Sequence, residues 1–193
     1  ISAKGRLDNF YGFLFRKQEL KGNFSMTSNQ LSLADFMTAE DPNAKTTSKT
    51  SEALKIPSFL NVTLSAKANT VLYDNLVLKN VAGKVIVKNE KATLEDVTTN
   101  IFGGLIAVSG NVSTKEKVPT FNMTLGLKNV DIAQTFTQLD MLKNIAPIAG
   151  IVNGKLNSTI HVGGNLDAKE MTPNLASISG DLLGQLLSTT INA

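Results

Sequence analysis

The sequence predicts a mostly β fold: a curved antiparallel meander forming a groove or taco-like sheet, with one short α-helix. Three observations predict it. From Asn69 to Val112, apolar and polar residues alternate with period two in four short runs separated by Asn- and Gly-containing turns. The same pattern returns on both sides of that stretch. A single segment, following Asp131, carries apolar residues at helical spacing.

Taken in order, Asp8 to Leu33 is expected as a hairpin, with Tyr11, Phe13 and Phe15 on one strand face and Leu20, Phe24 and Met26 on the next. Residues 1–37 then form an N-terminal hairpin part. Thr38 to Lys55 is rich in Thr, Ser, Lys and Ala, and has too few large apolar residues to offset its ordering entropy. It is expected as a flexible loop or linker. Residues 56–193 are the main part of a single structural domain.

Within that part, Leu60, Val62 and Leu64 alternate with Asn61, Thr63 and Ser65. Val85 and Val87 follow, then a tight turn at Asn89-Glu90, then Ala92 and Leu94. Asn100 to Gly104 makes another turn, and Val108, Gly110 and Val112 continue the alternation. Phe121, Met123, Leu125 and Leu127 form the next strand. Asp131 is a good N-cap for a helix near 131–143, with Ile132, Phe136, Leu139 and Leu142 along one stripe. Beyond Ile145 to Gly150, a connector with a Pro, Val152, Leu156, Ile160 and Val162 share a strand face. Leu175 to Leu187 is expected as a strand or helix. LVLKNV at Leu76 to Val81 returns as LGLKNV at Leu125 to Val130, a structural repeat longer than one solenoid coil.

Composition narrows the function. Charged residues are 18% of the 193, the net charge is only +3, and Trp is absent, so nucleic acid is an unfavoured partner. Without Cys there is no disulfide framework and no thiolate metal site. His161 is the one histidine and belongs to the polar side of a strand. The carboxylates Asp74, Glu90, Glu95, Asp96, Asp131 and Asp140 are scattered, with no spacing that pairs them for acid/base work. Gly103-Gly104 precedes a strand and not a helix, so it is a turn and not a phosphate loop. Five Asn-X-Ser/Thr sequences, beginning at Asn23, Asn61, Asn111, Asn122 and Asn157, fit the polar sides of strands. No catalytic residue, metal or cofactor is expected.

The candidate site is therefore the apolar face itself: Leu60, Val62, Leu64, Val85, Val87, Val108, Val112, Phe121, Met123, Leu125, Leu127, Val152, Leu156 and Ile160. Such a face has to be covered by a second sheet, a helix or a ligand. A closed barrel or sandwich carrying a small apolar ligand is one expectation, and a structural interaction module is another.

The order of these segments resembles a family. LEDVTTNIFGGLIAVSGNV at Leu94 to Val112, then an alternating strand, then NVDIAQTF at Asn129 to Phe136 and GIVNGKLNSTIHVGG, is similar to the C-terminal region of AsmA-like proteins, relatives of TamB and YhdP. LKGNFSMTSNQLSLADFM at Leu20 to Met37 resembles that family's segment before its variable linker. The resemblance implies a periplasmic protein anchored to the inner membrane by a segment outside this chain. It also implies a non-catalytic role in the cell envelope: phospholipid shielding or transfer between the inner and outer membranes, or outer-membrane homeostasis, with acyl chains as partners of a β-groove. The chain starts mid-pattern and is expected to be a piece of a longer protein.

Overall fold

The computed structural model describes residues 1–32, 53–138 and 152–191. Nine strands form a single sheet in sequence order, with an end strand at each edge and no closure. They are β1 (Ser2–Leu7), β2 (Leu20–Ser32), β3 (Leu60–Tyr73), β4 (Leu76–Lys88), β5 (Lys91–Ile101), β6 (Gly104–Ser113), β7 (Thr120–Asp131), β8 (Val152–Asn165) and β9 (Ser179–Ile191). Among the described residues two helices, α1 (Phe10–Arg16) and α2 (Ile132–Gln138), stand at opposite ends of the strands. The mostly β, single-sheet expectation holds.

From β3 to β9 the sheet is the expected antiparallel meander, but β2 and β3 are parallel, Leu20 beside Leu60 and Leu31 beside Val71. The sheet is mixed because parallel neighbours need a connection that returns the chain to the starting end. The segment between Ser32 and Leu60 makes that return. Most of the predicted linker lies outside the described residues. Near its end the backbone is tied down, Leu54 N–H donating to Ala168 O at 2.8 Å.

The turns follow from local chemistry. Asn89 and Glu90, with φ of 53° and 57°, close β4 onto β5 as a two-residue loop, as the sequence predicts. Phe102 and Gly103, at 51° and 66°, do the same for β5 and β6. Gly104 is needed for a different reason: a Cβ there would lie 2.5 Å from Lys128 O. In α2, Asp131 Oδ1 accepts from Gln134 N–H at 2.8 Å, the expected cap. Ile132 is buried, whereas the positions of Leu139 and Leu142 lie outside the described residues. Leu175–Ser177 is a short 3-10 turn, and the strand begins after it.

The first hairpin also differs from expectation. Tyr11, Phe13 and Phe15 do not lie on a strand; they belong to α1. β1 pairs with β2 only as far as Leu7 beside Gly22, and β2 begins at Leu20. A strand continued past Asp8 would soon run out of ladder partner, whereas a helix satisfies its backbone internally.

The chain also departs from strict alternation at three left-handed β-bulges, apart from a further register shift between β8 and β9 beside Asn153. Asn80, Asp96 and Asn129 have φ of 50°, 50° and 54°, and the register shifts beside each. Each is the third residue of a recurring tetrapeptide: Leu78-Lys79-Asn80-Val81, Leu94-Glu95-Asp96-Val97 and Leu127-Lys128-Asn129-Val130. Asn and Asp tolerate the left-handed region better than other side-chain-bearing residues. The extra residue keeps Leu and Val, three apart, on one face, where period two would separate them. At Asn129 the amide left out of the ladder donates to Asn157 Oδ1 at 2.8 Å. Asn129→Val is expected to lower unfolding stability by about 1–2 kcal/mol, while Asn129→Gly leaves it nearly unchanged or raises it. Urea denaturation of the two variants checks this.

Candidate functional site: one apolar face

Cross-strand partners share a face, so the register defines the site directly. One row across the sheet runs Gly22, Val62, Val87, Ala92, Val112, Phe121, Gly164. The next runs Phe24, Leu64, Val85, Leu94, Gly110, Met123, Val162, Gly180. Beyond the β5 bulge, Val97, Val108, Leu125, Ile160 and Leu182 form a third row. Ile106, Leu127, Ser158 and Gly184 follow, and then Val130, Leu156 and Leu186. Leu60 sits beside Leu20 at the start of β3, on the same face as Val62. The predicted site residues thus come together on one face. Val152 is at the first position of β8, and its side chain lies outside the described residues.

Leu94, Val97, Val130, Val162, Leu182 and Leu186 belong to this face as well, beyond the predicted set. Alternation already places Leu94 with Ala92; the signal for Val97 and Val130 was the Leu-X-Asn/Asp-Val tetrapeptide. Read by strict alternation, its Val falls on the wrong side.

Two small buried clusters anchor the face near the α2 end. Leu31, Ala68 and Val71 pack with Met26, Leu78 and Val81. Ile101, Phe102 and Val130 pack with Leu76, Leu78, Ile106 and Leu127. Val130 is 2% exposed. At the other end Thr114, 1% exposed, donates from its hydroxyl to Glu90 O and accepts from Ile56 N–H at 2.9 Å. Between these ends the face from Val62 to Ile160 is only half-buried. Toward the β9 edge it is open, Leu182 being 64% and Leu186 60% exposed. Among the described residues no second sheet covers it, and the sheet is not closed, so the barrel or sandwich expectation does not hold.

The opposite face is polar. Asn61, Thr63, Asn111, Asn122, Asn157 and His161 alternate with the apolar rows. All five predicted Asn-X-Ser/Thr asparagines project to this side with them. His161 Nδ1 lies 2.9 Å from Thr124 Oγ1, and Asp181 is its cross-strand neighbour. A cleft of about 910 Å³ also opens on this polar side near α2, over Val77 and Leu105 and beside Lys79 and Lys128. Among the described residues, Asp167 is held below the usual carboxylate range by the Glu170 and Lys169 N–H groups of its own turn.

Among the described residues, no three His, Asp or Glu side chains gather as a metal site. No described helix is long and apolar enough to cross a membrane. Comparison with family models, curated proteins and solved structures finds no match.

The uneven packing has a measurable consequence. Val130→Ala should cost about 2 kcal/mol, because it empties a closed cluster. Leu182→Ala removes a larger side chain from an open surface and should change stability by less than about 0.5 kcal/mol. Thermal melts of the two variants decide whether burial or side-chain size sets the loss.

Proposed function

We propose that this chain shields phospholipid acyl chains on its apolar face, as a non-catalytic cell-envelope protein of the AsmA-like kind. One observation carries the reading: a single open sheet whose apolar rows cross many strands and stay half-buried, with no described element lying over them. With neighbouring strands about 4.8 Å apart, the row from Phe24 on β2 to Gly180 on β9 crosses eight strands and roughly 34 Å. That exceeds the ~15 Å of bilayer core that one leaflet's tails occupy. Each methylene moved from water onto such a surface gains at most about 0.8 kcal/mol, with less for a tail covered on one side only. Many aliphatic contacts share the load, so no single residue is essential.

The order of motifs from Leu20 onward supports the same assignment, and with it a periplasmic setting and an inner-membrane anchor supplied from outside this chain. Transfer between the inner and outer membranes is the role that an uncapped apolar path suits. A second reading, a structural interaction module, rests on β9. Among the described residues its outer edge has no strand partner, and it exposes Leu182 on one face and Leu183, 77% exposed, on the other. Such an edge is a ready template for another strand.

Leu125→Asp and Val108→Asp separate the readings. Each puts a carboxylate in the third apolar row, where a desolvated, unpaired charge costs several kcal/mol. Water reaches it on the open face when no lipid is bound, so circular dichroism should stay that of the parent. Binding of a fluorescent phospholipid should be lost. Folded variants that bind phospholipid as tightly as the parent would exclude the apolar face as the lipid site.

A further inference from the structure

Among the described residues, exposed apolar side chains concentrate at one end of this sheet. The end bearing α2 holds the two buried clusters and exposes Tyr73, Val77 and Leu105. The opposite end exposes Leu54, Phe59, Val118 and Leu175 from its connections, and in addition most of α1. Within α1, Phe10 is 53% exposed, Tyr11 66%, Leu14 53% and Phe15 69%. Phe10 and Leu14 are four apart, as are Tyr11 and Phe15, so the four form one outward stripe. The Tyr11 and Phe15 rings meet at 4.7 Å, tilted by 40°, while Phe13 packs onto Phe59 at 5.4 Å. A helix on a water-facing surface normally turns its apolar stripe toward the core. This one is inverted.

The charges around the stripe have one sign in excess. Between Arg6 and Lys21 stand Arg6, Arg16, Lys17 and Lys21 against Asp8 and Glu19. Both carboxylates are already engaged: Asp8 by Arg6 and by Asn23 Nδ2, Glu19 by Asn61 Nδ2 at 2.9 Å. The Arg16 guanidinium lies 6.0 Å from the Tyr11 ring centre, at the border of the apolar stripe. Aromatic residues flanked by cations fit the headgroup level of a negatively charged bilayer, where rings enter the acyl boundary and cations meet phosphate.

We propose that α1 is a membrane-docking element, inserting Phe10, Tyr11, Leu14 and Phe15 into the interface of an anionic bilayer. This goes beyond lipid shielding by the sheet and stands without it, since docking needs only the tip. It also places membrane contact within this chain.

The chain has no Trp, so Phe15→Trp supplies a single indole at the tip. Its emission should shift to the blue, and be quenched by brominated lipid, on phosphatidylcholine vesicles containing phosphatidylglycerol. The response should weaken with added salt, because screening shortens the reach of Arg16 and Lys17. Replacing Tyr11 and Phe15 together by Ser should lower vesicle binding by roughly 100-fold, with circular dichroism unchanged. Should that double variant misfold, the indole reading on the intact fold still decides. An emission maximum unmoved by vesicles overturns the proposal. So does one already blue-shifted by protein concentration alone, which would mean a second copy covers the stripe. Parent-like vesicle binding by a folded double variant overturns it too. Phospholipid binding by Leu125→Asp is read separately, so either idea fails without the other.

Discussion

The structure depends on a backbone constraint: left-handed bulges at Asn80, Asp96 and Asn129. A β-strand has a side-chain period of two, so one inserted residue would send everything beyond it to the other face. Here the inserted residue lies in the left-handed region, and the following Val returns to the face of the preceding Leu. The bulges fall in β4, β5 and β7, toward the α2 end of the sheet. Without them Val81, Val97 and Val130 would point to the polar side, and the two buried clusters would lose members. Because the clusters are small, that line of bulges contributes more to the shape of the apolar face than any single packed side chain.

The two ends of the strands consequently differ in kind. Near α2 the turns interlock: Asp131 N–H donates to Phe102 O at 2.8 Å, and Asn75 Nδ2 to Gln138 O at 3.1 Å. Ile132 and Val130 are buried beneath them. At the far end Thr114 ties the β4–β5 turn to the segment entering β3, while aromatic side chains remain outside. A sheet packed at one end and apolar at the other has a direction. Neighbouring strands rotate by roughly 20° each, so nine of them cannot lie flat, and bulges increase that twist further. An apolar face on such a sheet is a twisted path, which suits chain-like ligands better than compact ones.

Much of this was legible in the residues. Alternation located every strand from β3 to β8, because each of those strands has one half-buried face and a polar reverse. The Asn89-Glu90 and Phe102-Gly103 turns and the Asp131 cap rest on short-range chemistry that neighbours in sequence determine. The repeat LVLKNV and LGLKNV was visible too, although its meaning was not: the shared Asn is a bulge. Its third copy, LEDV, was hidden because only Leu, Val and the left-handed Asx position are common to all three.

What the sequence by itself determined, then, is the strands from β3 to β8, the tight turns at Asn89-Glu90 and Phe102-Gly103, and the two-sided character of the sheet. These follow from local propensity and period. The tertiary structure alone decided three things. It made β2 parallel to β3, since a pairing between strands so far apart in the chain depends on where the connection returns. It turned Phe10–Arg16 into a helix, since Tyr11, Phe13 and Phe15 fit period two as well as a helix and only the end of the β2 ladder chose between them. And it left the sheet open, since alternation specifies a face to be covered without specifying what covers it.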